Sequence, residues 1–171
     1  EWLAPLVTAG SVYGIDINRK AINRLHERLP EVNAVWSPGR ELPLRDRWFD
    51  LVFTMGVLIH QPEETLPVVM GEMVRCSSRW VLCGEYFADE TTEVPYHGHE
   101  GALFKRDYGR MFRESFPELE QVDDDVAHLV QLEAFGGFFI AASVVFADEF
   151  HLQRLLLTEP VTAAITLGWR G

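Results

Sequence analysis

The feature that most constrains this chain is a regular alternation, over its first 120 residues, of short apolar runs with segments of helical periodicity. Ser11-Val-Tyr-Gly-Ile-Asp-Ile17, Ala34-Val35-Trp36, Phe49-Asp-Leu-Val-Phe53 and Arg79-Trp-Val-Leu-Cys83 read as strands. Between them, Asn18 caps a helix that runs through Ile22, Leu25 and Leu29 and stops at Pro30. Residues 62–75 predict a second helix, with Pro62 in its first turn, Glu63 and Glu64 at the positive end and Arg75 at the negative end. Residues 107–116 predict a third, ended by Pro117, and Trp2-Leu3, Leu6 and Val7 a short one closed by Ala9-Gly10. Strands alternating with helices at this spacing need crossover connections, hence a parallel sheet in an α/β fold. Strands apolar along their whole length are those covered on both faces.

Composition narrows the function classes. Fifteen Lys and Arg stand against 26 Asp and Glu, a net charge of −11 over 171 residues. Nucleic-acid binding by phosphate neutralisation needs clustered basic residues, so it is not expected, whereas a small anionic substrate sees only its local pocket. Cys76 and Cys83 form neither a disulfide scaffold nor a metal motif and read as buried thiols. No signal peptide opens the sequence. The longest apolar run, Phe138 to Phe146, is too short for a membrane span and is followed by Asp148 and Glu149. A cytoplasmic protein without membrane partners is expected. From Glu120 onward eight acidic residues face two basic ones, which marks a change of module. Residues 1–122 are read as the core, and residues 123–171 as an extension that completes the sheet edge or makes a homodimer contact. Glu149 to Leu157 predicts an amphipathic helix there, and Val161 to Leu167 a strand.

Ligands in parallel sheets bind outside the carboxyl ends of the strands. Three strand ends carry polar or permissive residues: Asp16, Thr54-Met55-Gly56 and Gly84-Glu85-Tyr86. An acid at the place of Asp16 can accept hydrogen bonds from vicinal ribose hydroxyls, and reads equally as a helix-capping residue. The stretch Glu41-Leu-Pro-Leu-Arg-Asp-Arg-Trp-Phe-Asp-Leu-Val-Phe-Thr-Met-Gly-Val-Leu-Ile-His60 resembles the "LPF…FDLV…VL.H" segment of class I S-adenosylmethionine-dependent methyltransferases, with Val12-Tyr-Gly-Ile-Asp-Ile17 at the right separation upstream. Gly84-Glu-Tyr-Phe87 and the segment 93–107 resemble small methyltransferases named for association with pseudaminic acid biosynthesis genes. The resemblance spans residues 1–122, and that family name reflects gene neighbourhood, so it says little about the acceptor.

The resemblance implies a Rossmann-like sheet, mostly parallel with an antiparallel edge, that binds S-adenosylmethionine. Asp16 would hold the ribose hydroxyls and Ile17 would lie against the adenine. Gly39, Arg40 and Glu41 would border the adenine edge. Thr54, Met55 and Gly56 would line the methionine part. Two departures stand out. Many relatives carry an acid or small polar residue near Pro38, so here Ser37 or a backbone carbonyl is left to meet the adenine amino group. The glycine-rich loop that normally follows the first strand has no counterpart ahead of residue 16. The strands of residues 12–17 and 49–54 would each lose a partner there, and buried backbone groups without one cost roughly 1–3 kcal/mol each. An omitted strand, a strand from the acidic tail or a second chain could fill the slot. The helix-like pattern of residues 2–7 favours an omitted strand.

Methyl transfer asks little of a protein beyond alignment and removal of a proton from the acceptor. His60, Glu85, His97 and His99 are the residues with base chemistry, and Tyr86, Tyr96, Glu100 and Lys105 suit contact with a small-molecule acceptor such as a sugar or sugar nucleotide. His60 reads equally as a packing histidine. Lys105 and Arg106 suit the anchoring of a phosphate or carboxylate, and apart from the resemblance read first as surface charge. His97-Gly98-His99-Glu100 lacks further ligands at zinc spacing, so no metal is expected. Residues 84–106 are expected to form one wall of a pocket, with Glu85, Tyr86, His97, His99 and Lys105 pointing into it. A noncatalytic methyltransferase-like domain that binds a protein partner is the alternative. A nucleotide-dependent dehydrogenase is a further one, against which the block from Leu42 to His60 speaks.

Overall fold

The apolar run of residues 11–17 does become a strand, and its surroundings show how the alternating pattern is spent. In the computed structural model, which describes residues 9–120 and 164–168, β1 (Val12–Asp16) follows a short turn at Ala9–Ser11 and is buried at four of its five positions. The Asn18 side chain caps α1 (Arg19–Arg28) by accepting from the Lys20 amide at 2.9 Å. α1 lies over β1 at Gly14, where a Cβ would come 2.3 Å from Leu25 Cδ2. The chain returns as β2 (Asn33–Trp36), parallel to β1, with the Asn33 amide donating to the carbonyls of Gly10 and Val12. This β1–α1–β2 unit is the crossover that the spacing predicts.

β3 (Phe49–Met55) extends two residues beyond the predicted run, and β4 (Ser77–Gly84) starts two earlier. Between them α2 (Leu66–Cys76) is shorter than predicted. Pro62 to Thr65 form a tight turn instead, closed by the Thr65 and Leu66 amides on the Pro62 carbonyl. Val69, Met70, Met73 and Cys76 of α2, like Ile15, Phe49 and Val52 of the strands, are buried, each such side chain being worth roughly 1.5–3 kcal/mol of apolar transfer.

The five-stranded sheet has the order β2-β1-β7-β3-β4, with β7 spanning Ala164–Gly168. The expected omitted strand is therefore not needed to occupy the place beside β1. A strand from the tail lies there, parallel to β1 from Val12↔Ala164 to Asp16↔Gly168. The tail thus contributes to the middle of the sheet, not to its edge. Antiparallel pairing occurs elsewhere among the described residues, in a separate two-stranded sheet of β5 (Thr92–Glu93) and β6 (Phe104–Lys105). That pairing gives order to a segment the sequence predicts as irregular. α3 (Tyr108–Ser115) follows, its amino end capped by Asp107, which accepts from the Arg110 amide at 2.8 Å. The predicted helices at residues 2–7 and 149–157 and the apolar run of residues 138–146 lie outside the described residues, as does any dimer contact they would make.

The described residues fall into two compact units. The first holds residues 9–53, 68–81 and 164–168, and the second residues 54–67 and 82–120. No described helix is long and apolar enough to cross a membrane.

Candidate functional site

The residues expected to meet the nucleoside belong to the first unit. Asp16 closes β1, and only 8% of the residue stays exposed. Oδ1 accepts the Asn18 amide at 2.7 Å. No other hydrogen bond to this carboxylate forms among the described residues, so Oδ2 has lone pairs for a ligand. Burial pushes the Asp16 carboxyl above its ordinary range, and the Asn18 hydrogen bond pulls it back.

Beside it, Ile17 and Trp36 are large apolar residues left about half exposed. The Trp36 indole donates to the Ile17 carbonyl at 2.8 Å, and the Arg19 guanidinium stacks over the Trp36 ring at 3.9 Å. Sequence reasoning named Ile17 for this surface and missed Trp36 and Arg19. The signal was a tryptophan ending an edge strand, where little core remains to bury it.

The next loop is tied back on itself. The Ser37 amide donates to the Asp16 carbonyl at 3.3 Å, and the Glu41 amide to the Pro38 carbonyl at 3.2 Å. The Ser37 hydroxyl donates to the Glu41 carbonyl at 2.6 Å. Its proton is therefore engaged in closing the loop, while the oxygen keeps acceptor lone pairs. Arg40 and Glu41 are exposed and Gly39 is half-buried. From α2, Glu72 accepts the Leu42 amide at 2.7 Å and Arg75 donates to the Leu42 and Leu44 carbonyls, so the loop is anchored at its far end.

The residues expected to meet the methionine part and the acceptor belong to the second unit. Thr54 is fully buried, and Met55 packs over Gly84. Gly56 sits at φ +64°, a conformation that favours glycine, and its amide donates to the Gly84 carbonyl at 2.8 Å. The chain then turns through a 3₁₀ segment, Leu58–His60, whose leading amides need acceptors. Glu85 supplies them, taking the Val57 amide on Oε1 at 3.2 Å and the Ile59 amide on Oε2 at 3.1 Å. Glu85 is 1% exposed, and burial pushes its carboxyl up to about 7 against the pull of these amides. Its partners are amides within the fold, so the geometry gives it a positioning task at this turn.

His60 is half-buried, and its Nδ1 lies 2.6 Å from the Ala102 carbonyl. A carbonyl only accepts, so Nδ1 carries the proton and the neutral ring has its lone pair on Nε2. Burial lowers the His60 pKa, and the Ala102 contact opposes that. The His60 ring lies 5.2 Å from the Tyr96 ring, which lies 4.3 Å from the His97 ring.

These aromatic groups meet because residues 92–105 form a hairpin. Tyr96 and His99 exchange backbone hydrogen bonds at 3.1 and 2.9 Å, with His97 and Gly98 at the tip, both at positive φ. Two positive φ values fit the tight turn whose twist suits a hairpin. The structure thus brings His60, Tyr96 and His97 together. His99 and Glu100 are exposed on the same hairpin, and Lys105 lies half-buried on β6. Tyr86 is half-buried, and its carbonyl accepts the Arg106 amide.

Arg106 is not surface charge. It is 2% exposed, donates to the Gln61 carbonyl at 3.0 Å and lies over the Phe104 ring at 4.3 Å. No three His, Cys, Asp or Glu residues gather as metal ligands among the described residues.

No curated protein matches the chain. Residues 1–79, which include Asp16, the 37–42 loop and Gly56, match the family model described as a methyltransferase domain, and this supports a Rossmann-like α/β fold and methyltransferase activity in general.

Proposed function

We propose that the protein is an S-adenosylmethionine-dependent methyltransferase acting on a small molecule, with a sugar or sugar nucleotide as the acceptor class. The observation that carries the reading is Asp16: a carboxylate at the carboxyl end of a parallel strand, largely buried, with one oxygen that accepts no hydrogen bond among the described residues, beside an exposed apolar pair. These residues fit a nucleoside, since Oδ2 can accept from a vicinal diol while Ile17 and Trp36 offer apolar surface to a base. Thr54, Met55 and Gly56 would hold the amino acid end of the cofactor. When bound, the cofactor supplies a methyl group on sulfonium, already activated for transfer. The protein then has to bind, align and remove a proton. His60 suits the last task for a hydroxyl or amine acceptor, because its neutral ring is oriented by the Ala102 carbonyl and lowered in pKa by burial. Tyr96, tilted against the His60 ring, and His97, edge-on to Tyr96, would face the acceptor, and Tyr86, His99, Glu100 and Lys105 would complete its surroundings.

Calorimetric titration with S-adenosylmethionine and its demethylated product tests this. Asp16→Ala should weaken binding by roughly 1–3 kcal/mol, the cost of lost hydrogen bonds to a charged acceptor. Unchanged affinity in a folded variant removes the ribose assignment. The tail strand between β1 and β3 favours a second reading, a rebuilt domain that binds a protein partner without turnover. Failure of the wild-type chain to bind either nucleoside would select it.

A further inference from the structure

The last described strand of the chain stands at the centre of its sheet. On one side of β7 the chain steps outward from β1 to β2, and on the other from β3 to β4. Counted with β7 first, the order β2-β1-β7-β3-β4 becomes 3-2-1-4-5, the order of a doubly wound sheet, and β7 is the strand at which the order reverses. Ligands of such sheets bind outside the carboxyl ends at that reversal.

The direction of β7 decides what it can offer there. It runs parallel to β1, so the register sets Gly168 directly beside Asp16. An antiparallel strand would have set Ala164 there, with the carboxyl end of β7 on the opposite edge of the sheet. A glycine at this place carries no side chain that a ligand on the Asp16 carboxylate would have to share space with.

We infer that the C-terminal strand completes the nucleoside-binding edge of this chain, with Gly168 forming, beside Asp16, the surface on which the ribose lies. The inference rests on the methyltransferase reading for the identity of the ligand and on the sheet order and register for the place of Gly168. It makes a strand far from the matched residues 1–79 part of the binding machinery.

Two measurements on the full chain test it. Val12 and Ala164 are register partners in adjacent parallel strands, which lie close enough for a disulfide. The double variant Val12→Cys/Ala164→Cys should form an intramolecular cross-link under oxidation that neither single variant forms. Gly168→Val should weaken binding of the demethylated cofactor about tenfold in calorimetric titration while leaving the thermal midpoint near that of wild type. A folded double variant that does not cross-link overturns the inference, as does a Gly168→Val chain that binds like wild type. No binding by the wild-type chain overturns the methyltransferase reading itself, and with it the nucleoside assigned to this edge. The cross-link then still reports whether β7 lies beside β1.

Discussion

Glu85 binds the short turn that carries His60, and burial acts on the two groups in opposite protonation senses. Burial raises the carboxyl to about 7 and lowers the imidazole, in each case because the charged form loses water. Glu85 is the acceptor that the described residues offer the Val57 and Ile59 amides of this turn. This fixes a pH dependence. The unfolded carboxyl titrates near its ordinary 4.5, and the folded one near 7. Between those values the folded chain keeps a proton that the unfolded chain has released, so stability falls as pH rises across the window and is level above it. The fall is on the order of 3 kcal/mol. In Glu85→Gln no proton moves, although one donor now faces an amide. Urea denaturation at several pH values should show wild type losing its advantage over Glu85→Gln between about pH 4.5 and pH 8. The His60 shift, which acts in the opposite sense, is present in both proteins and cancels in the comparison. Parallel stability curves would mean that the carboxyl is not held in this way.

At the scale of elements, the loop from Ser37 to Arg47 is held by one helix. Arg75 donates to Glu72 at 2.6 and 2.8 Å, to Asp46 at 2.6 Å and to two loop carbonyls. The Arg75 guanidinium holds the Glu72 carboxyl below its ordinary range, so the stability it contributes is full above about pH 4.5 and is lost as pH falls through the folded pKa. Arg75→Ala should lower stability by about 1–2 kcal/mol, discounted for the partial exposure of the cluster. Hydrogen exchange should show faster exchange at the Leu42 and Trp48 amides while α3 is unchanged. Equal protection in the variant would assign the loop's order to its own turn. Arg75 also shows what the sequence could reveal. Its place near a helix carboxyl end was legible from local spacing, but its ties to the loop were not, because those partners lie about thirty residues away. The strands, α1 and α3 were legible because apolar period and capping residues agree there. The hairpin of residues 92–105 was not, since its strands are two residues long and its cue was the single His-Gly pair at the tip. Asp16 and Ile17 were legible as a strand end. Glu85 could be placed at a strand end, but its amide partners could not, because they depend on how a separate turn folds over it.

The molecule as a whole depends on closure between its two ends. Val161 to Leu167 read as a strand from pattern alone, yet nothing local says which strands they join. The places beside β1 and β3 are filled because unpaired buried amides and carbonyls are expensive, and β7 satisfies them by pairing over a long sequence separation. An interior strand has neighbours on both sides, so every amide in it faces a ladder, and proline is excluded from such positions. Thr166, the register partner of Gly14, is at the middle of β7. Thr166→Pro removes one donor and crowds the adjacent strand, and should lower stability by at least roughly 1–3 kcal/mol. The informative readout is where protection is lost. Amides of Val12–Asp16 should exchange faster together with those of Ala164–Gly168, because β1 and β3 flank β7 in the strand order and share its fate. The hairpin of residues 92–105 belongs to the other compact unit, and its Val94 amide, bonded to the Leu103 carbonyl, should keep its protection at low denaturant. Unchanged protection of β1 in the proline variant would show that its amides are paired with something other than β7, and would remove the tail strand from the centre of the sheet.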